Sequence, residues 1–464
     1  MIVLVAAFAV ALAAEPPWVQ TFIVPRTLGP PADGCELRAK VVAPRERSAE
    51  EEGPPSTATS AKVETPISEP MPTQNTADMG PPFDVSAVPL EPLRGDPTDI
   101  ARVREVFMLA AARQGTTRLS FWGASHVAGE FFTGQVRRIL QERWGDGGHG
   151  FVMPGPPWKG YRASDVNLCS GGTWLGDYVD RRGGREDGRY GPAGFDVSPT
   201  EDAVGWVQTT RTNPQGRSVS RFEVAFLREP GAGQLRLQVD DADPIEVDAN
   251  GPQGPGLAVL KVEEGPHRLT VSARGAVRVY GTWLERDEPG IVVDAQGVSG
   301  RTASSWQKWD PSLQRPYLDR RPPDLVVLAY GTNEANDKSL DAEKYAASLR
   351  LSLSRMREVL PGTACVLVGP SDRGKKVKGN TYAIWAPTEW VARVQREVGP
   401  EFGCATWDLQ AAAGGPGSML QWYFNTEPKL AAGDLIHFSA EGYRELGARF
   451  VAAMTGIAEG YKEP

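Results

Sequence analysis

One serine, one histidine with an aspartate three residues before it, one asparagine and one glycine stand out in this chain because together they are the parts of a nucleophilic acyl-transfer site. They fall in Gly123-Ala124-Ser125-His126, Gly297-Val298-Ser299-Gly300, Gly331-Thr332-Asn333-Glu334 and Asp434-Leu435-Ile436-His437. A serine hydroxyl is a weak nucleophile until an adjacent base takes its proton. Ser125 is the candidate nucleophile and His437 the candidate base, with Asp434 placed to fix the imidazole tautomer and stabilise the imidazolium. The backbone amides of Ser125 and Gly300 and the side-chain amide of Asn333 are candidate oxyanion donors. Taken singly, each has a plainer reading: a helix N-cap serine, a turn glycine, a turn asparagine, a surface Asp–His turn. Of the other histidines, His126 and His149 are set aside as bases, and His267 falls outside this constellation.

The elements around these segments decide whether they can meet. Short apolar runs at 118–122, 290–293 and 324–330 read as buried strands, each followed at once by one of the first three segments. In an open parallel sheet, groups just past the carboxyl ends of strands converge on one rim, where ligands bind. Runs at 364–369 and 404–409 supply two more strands. Helical apolar spacing appears at 99–114, 130–144, 341–359, 388–398 and 440–458. Between about 201 and 286 the texture changes to alternating apolar and polar residues over 221–227, 234–239, 257–262, 267–273 and 277–284, separated by Gly, Pro and Asp turns. Short strands at such spacing indicate an antiparallel β-sandwich. The expected fold is therefore a three-layer α/β/α domain built from 98–199 and 287–464, with a β-sandwich at 200–286 inserted between its first and second strands.

Ahead of this domain, residues 1–14 form an apolar run too short to span a bilayer and ending in small residues, which fits a cleaved signal peptide. No Lys or Arg precedes that run, and no Cys sits at the cleavage site to carry a lipid anchor. Export to the periplasm or cell exterior is the expectation, with no stable transmembrane segment left after cleavage. Residues 15–97, rich in Pro, Ala, Ser, Thr and Glu, read as a disordered linker. The 50 Lys and Arg against 58 Asp and Glu give a net charge of −8, and no basic block stands out, which excludes nucleic acid as an expected partner. The 4 Cys are too few for a disulfide scaffold, and Cys365 and Cys404 read more readily as buried thiols than as a bridge. No His/Cys spacing resembles a metal site, so neither metal nor cofactor is expected.

The four segments resemble, in order, sequence blocks of the SGNH (GDSL) hydrolases. Gly123-Ala124-Ser125 is similar to the first block, Val298-Ser299-Gly300-Arg301-Thr302 to the second, Gly331-Thr332-Asn333 to the third and Asp434-x-x-His437 to the fifth. The resemblance covers about 98–199 and 287–457. Val127, two residues after Ser125, departs from the glycine that an α/β-hydrolase nucleophile elbow needs. The run 131–150 and the insert look more narrowly like bacterial envelope esterases that remove O-acetyl groups from peptidoglycan or other polysaccharides, in which the inserted sandwich resembles a carbohydrate-binding module. That resemblance implies an O-acetylated glycan as substrate. It leaves open an O-acetyltransferase using the same serine, a glycan-binding protein with a decayed site, and a purely scaffolding sandwich. A lipase or thioesterase fits less well, because no long apolar lid segment is present. The family usually has Asp where this chain has Ala124.

Overall fold

The computed structural model describes residues 15–31, 35, 37–43, 71–112 and 115–456. The expected signal peptide at 1–14 lies outside the described residues. One sheet has five parallel strands: β1 (Thr116–Gly123), β2 (Gly290–Gly297), β3 (Leu325–Ala329), β4 (Ala364–Val368) and β5 (Cys404–Trp407). Their spatial order is β2-β1-β3-β4-β5. Strand residues are almost continuously buried, because helices cover both faces of the sheet. The alternation along each strand assigns the two faces. Leu119, Phe121, Val293, Val327 and Val366 pack beneath α1 (Pro97–Ala111), α2 (Phe131–Trp144) and a C-terminal helix, Ala440–Thr455. Trp122, Val326, Leu328 and Leu367 pack beneath Ala342–Val359 and Pro387–Val398. These are the three layers expected.

The β insert is larger than the sequence reading allows. It begins at Gly150–Val152 rather than near 200, and includes the 13-residue strand Val166–Tyr178 and Phe195–Pro199 within the expected catalytic segment 98–199. Gly, Ser and Pro interrupt the β-formers Val, Phe, Trp and Tyr in these strands, so no clean alternation marks them in the sequence. Long-range pairing holds them. Val166–Gly171 pairs with Val204–Thr209, while Trp174–Tyr178 pairs with Phe195–Pro199 on the other side. The exchange of partners falls at Gly172, where φ is +72° and a Cβ would meet the Asp202 carbonyl oxygen at 2.3 Å. Strands of both halves enclose one apolar core that includes Trp174, Val207, Phe226, Leu237, Leu257 and Val271.

The expected disordered linker at 15–97 is corrected for its described parts. Val19–Ile23 adds in parallel to Gly254–Gly265, Ala39–Val42 adds in parallel to Val166–Tyr178, and Thr73–Asn75 joins Thr381–Ile384 and Gly374–Lys378 in a small third sheet. Each strand is too short to show periodicity. Backbone pairing at an existing sheet edge supplies the order that composition alone does not reveal. Both pairs of cysteines also form disulfides, Cys35–Cys169 and Cys365–Cys404. The second corrects the expectation of buried thiols. Parallel strands β4 and β5 put Cys365 directly opposite Cys404, with Cα atoms 4.5 Å apart. Two disulfides are compatible with export to an oxidising compartment. Among the described residues, no helix is long and apolar enough to cross a membrane.

The Cys365–Cys404 bridge closes a loop of 39 residues. Its removal in a Cys365→Ala, Cys404→Ala double variant should lower unfolding free energy by about 2–4 kcal/mol. Chemical denaturation checks this; an unchanged midpoint would show that the bridge adds nothing to stability.

Candidate active site

The candidate residues, separated in sequence, meet at the carboxyl edge of the parallel sheet. β1 ends at Gly123, where any side chain would collide with Val127 at 2.6 Å and the Ala329 carbonyl at 2.7 Å. This close approach lets the chain turn sharply, so that Ser125 opens a one-turn helix, Ser125–Ala128. Ala124 is buried among Trp122, Trp306 and Tyr330. Backbone bonds hold this turn: Ala124 N–H to the Ala329 carbonyl at 3.3 Å, and the amides of Val127 and Ala128 to the Ala124 carbonyl at 3.1 and 2.9 Å.

His437 Nε2 lies 2.8 Å from Ser125 Oγ, and His437 Nδ1 lies 2.6 Å from Asp434 Oδ2. Asp434 Oδ1 accepts the backbone N–H groups of Ile436 and His437, both at 3.0 Å. Partial burial would raise the Asp434 pKa. The hydrogen bonds from the His437 amide and ring and from the Ile436 amide outweigh it, and the carboxyl is held below its usual range. The turn places Leu435 at φ +57°, sparsely populated for a leucine, and the buried Leu435 side chain anchors it. The side chains of His437 and Asp434 remain 35% and 48% exposed, so water reaches the pair.

Spacing does not single out His437, since Asp146 also stands three residues before His149. Position does. His149 is buried with Nε2 2.7 Å from the Ser164 carbonyl, while Asp146 accepts the Gly148 amide. His126 is buried beside the site, its ring 5.5 Å from that of His437 and Nδ1 2.8 Å from the Tyr443 hydroxyl. Burial first, then the proximity of His437, pushes its pKa down to about 3.

Gly300 sits past β2 with φ +77°, a conformation that glycine tolerates best. Among the described residues, no acceptor takes the amide N–H of Ser125 or Gly300. Asn333 Nδ2 donates to the Arg301 carbonyl at 2.8 Å, which orients the amide and leaves its second hydrogen available. The structure thus brings Ser125, Gly300, Asn333, Asp434 and His437 to one edge. Such an arrangement can activate a hydroxyl and receive negative charge on a carbonyl oxygen. Among the described residues, no group of three or more His, Cys, Asp or Glu is placed to hold a metal ion.

The sequence reading gives no role to Glu334, whose carboxylate proves central to the loops. It accepts the Ala303 amide at 2.8 Å and the Gly331 amide at 2.9 Å, tying the turn after β2 to the turn after β3. Burial raises its pKa, against those amide bonds. Its position directly after Asn333 was the available signal. Arg301 is also missed: its guanidinium donates to the Val179 and Asp180 carbonyls, fastening the Gly300 turn to the β insert. The basic run Arg373-Gly374-Lys375-Lys376-Val377-Lys378 corrects the statement that no basic block stands out.

Asn333→Ala should lower kcat about a hundred- to a thousandfold with little change in KM, if its amide meets charge only in the transition state. Steady-state kinetics on 4-nitrophenyl acetate checks this; a change confined to KM would contradict it.

His126 also makes a pH prediction. Its folded pKa, pushed down to about 3, lies below its unfolded value of about 6.5. The unfolded chain therefore takes up this proton first as pH falls. Stability from the neutral ring is complete above about 6.5 and is lost progressively toward 3. His149 is pushed the same way, by burial and by Arg137. In denaturation series over this range, His126→Gln should show a shallower acid loss than the parent, and an equal slope would contradict the assignment.

Residues 263–445 match the family model described as the GDSL-like Lipase/Acylhydrolase family. That match begins inside the β insert and leaves Ser125 outside it. No curated protein matches the chain. Among solved structures, a peptidoglycan O-acetylesterase is 24% identical, with 83% of this chain and 98% of that chain covered at a TM-score of 0.61. A family two carbohydrate esterase from Clostridium thermocellum is 13% identical over 57% of this chain and 94% of its own, with a TM-score of 0.26. One from Cellvibrio japonicus is 12% identical over 62% and 98%, with a TM-score of 0.24. The last two are too distant in shape to carry an argument.

Proposed function

We propose that this chain, an SGNH/GDSL-type carboxylic ester hydrolase, is an exported or cell-envelope enzyme that removes O-acetyl groups from a glycan through Ser125, His437 and Asp434. The observation that carries the reading is the continuous chain of contacts from Ser125 Oγ to His437 at 2.8 Å and on to Asp434 at 2.6 Å. Ser125 Oγ attacks the acetyl carbonyl carbon while His437 Nε2 takes its proton. The carbonyl oxygen becomes an oxyanion held by the Ser125 and Gly300 amides and Asn333 Nδ2. As the C–O bond to the sugar breaks, the imidazolium returns that proton to the departing sugar oxygen. Water then attacks the acetyl-serine with His437 again as base; the bond from Ser125 Oγ to the acyl carbon breaks, the imidazolium returns its proton to Oγ, and acetate leaves.

The exposure of His437 and Asp434 favours water as the acceptor over a sugar hydroxyl. The likeness to a peptidoglycan O-acetylesterase over most of both chains supports a glycan ester as substrate. Arg301 links the Gly300 turn to residues 179–180 of the β insert, a position from which the insert would orient a polymer. The test is acetate release from O-acetylated peptidoglycan and a panel of O-acetylated polysaccharides. Release that disappears in Ser125→Ala supports the reading; no acetate from any glycan would overturn it.

A further inference from the structure

The hairpin beside the Asp434–His437 turn carries positive charge in a chain whose net charge is −8. Arg373, Lys375, Lys376 and Lys378 form no ion pair among the described residues. Gly374 donates its amide to the Leu435 carbonyl at 3.0 Å, which fixes the hairpin to the turn that holds the candidate base. Arg373 Nη1 donates to Asn336 Oδ1 at 2.8 Å. Asn336 ends the short 3-10 turn that follows Asn333, so Arg373, beside the turn that holds the candidate base, reaches the loop of the candidate oxyanion donor.

The guanidinium lies over the Trp385 ring at 4.8 Å, with Lys375 Nζ over the same ring at 5.5 Å. Arg373 Nε is buried with no hydrogen-bond partner. Burial lowers the Arg373 pKa, and the charge of Asp434 opposes that shift; the two groups are near neighbours without forming an ion pair. Asp434 is already engaged by His437 and two backbone amides. A planar cation stacked on tryptophan, whose Nη2 makes no hydrogen bond among the described residues while Nη1 is held by Asn336, has the chemistry of a carboxylate receptor. Lys375, Lys376 and Lys378 are exposed along the strand leading away from it.

We propose that Arg373, backed by Lys375, Lys376 and Lys378, binds a substrate carboxylate, so that the preferred substrate is an O-acetylated glycan bearing carboxylates rather than a neutral one. The carboxylate would belong either to the sugars or to an attached peptide. This inference rests on the proposed glycan esterase activity and narrows its substrate class.

The experiment compares kcat/KM for acetate release from three substrates: an O-acetylated uronate polymer, O-acetylated peptidoglycan and an acetylated cello-oligosaccharide. The parent should favour one or both acidic substrates over the neutral one, and which of them it favours identifies the source of the carboxylate. Arg373→Gln should cut the acidic-to-neutral ratio about tenfold, mainly through KM, the order expected for a partly screened charged hydrogen bond. Arg373→Lys should restore part of it, and added salt should shrink the parent's ratio. Fluorophosphonate labelling of Ser125 checks that each variant is folded. If Arg373→Gln fails that check, the Lys375→Gln, Lys376→Gln, Lys378→Gln triple variant is judged on the same ratio.

A parent without preference for acidic substrates, or a ratio unmoved in the folded variants, would overturn the inference and leave the esterase reading standing. If no glycan releases acetate, the esterase reading falls. The inference is then decided by salt-sensitive retention on immobilised polygalacturonate: the parent should be retained more strongly than Arg373→Gln, and equal retention would overturn it.

Discussion

Ser125→Ala should reduce acetate release from 4-nitrophenyl acetate by at least about a thousandfold, to the level of the oxyanion donors and binding alone. Ser125 Oγ is the atom that His437 Nε2 meets at 2.8 Å, so its loss removes the bond-forming atom while leaving the turn intact. That turn is held by backbone contacts of Gly123 and Ala124, not by the serine hydroxyl. The variant should therefore fold as the parent does. Rates near those of the parent would remove Ser125 from the chemistry.

Asp434→Asn should lower kcat by about a hundred- to ten-thousandfold, and His437→Ala by at least as much. The reason is the direction of hydrogen bonding. Asp434 accepts from His437 Nδ1 at 2.6 Å, which leaves Nε2 unprotonated and facing Ser125. An asparagine amide can donate to Nδ1 instead, favouring the tautomer whose Nε2 carries the proton and cannot act as a base. The range is wide because the Asp434 side chain is 48% exposed, and water substitutes for part of its charge stabilisation. Steady-state kinetics checks the effect, with circular dichroism establishing the fold. An Asp434→Asn enzyme with unchanged kcat would mean that His437 is oriented by other groups.

The parallel sheet was legible because its strands are buried on both faces and read as apolar runs. Runs at 118–122, 290–293 and 324–330 lie within or overlap β1, β2 and β3, and each delivers its polar segment to the same edge. The family blocks then assigned the residues within those segments. Features created by distant partners were not legible. Thr73–Asn75 is ordered by Thr381–Ile384, and Val19–Ile23 by Gly254–Gly265, so neither carries its own signal. The partnership of Cys365 and Cys404 needed the register of β4 against β5. Glu334 carries no sequence signal beyond its place after Asn333, because its role depends on burial against the amides of Gly331 and Ala303. Asp146 and His149 show the converse: they share the spacing of Asp434 and His437, yet the fold turns their side chains to other partners.

The central claim is that Ser125 is a nucleophile activated by His437. Intact-mass and peptide mass spectrometry after a fluorophosphonate probe tests it most directly, since the probe needs an activated serine and no knowledge of the natural substrate. The account predicts a single adduct mapped to Ser125 in the parent, absent from Ser125→Ala and strongly slowed in His437→Ala. No adduct on a folded parent protein, or an adduct on a different serine, would contradict it.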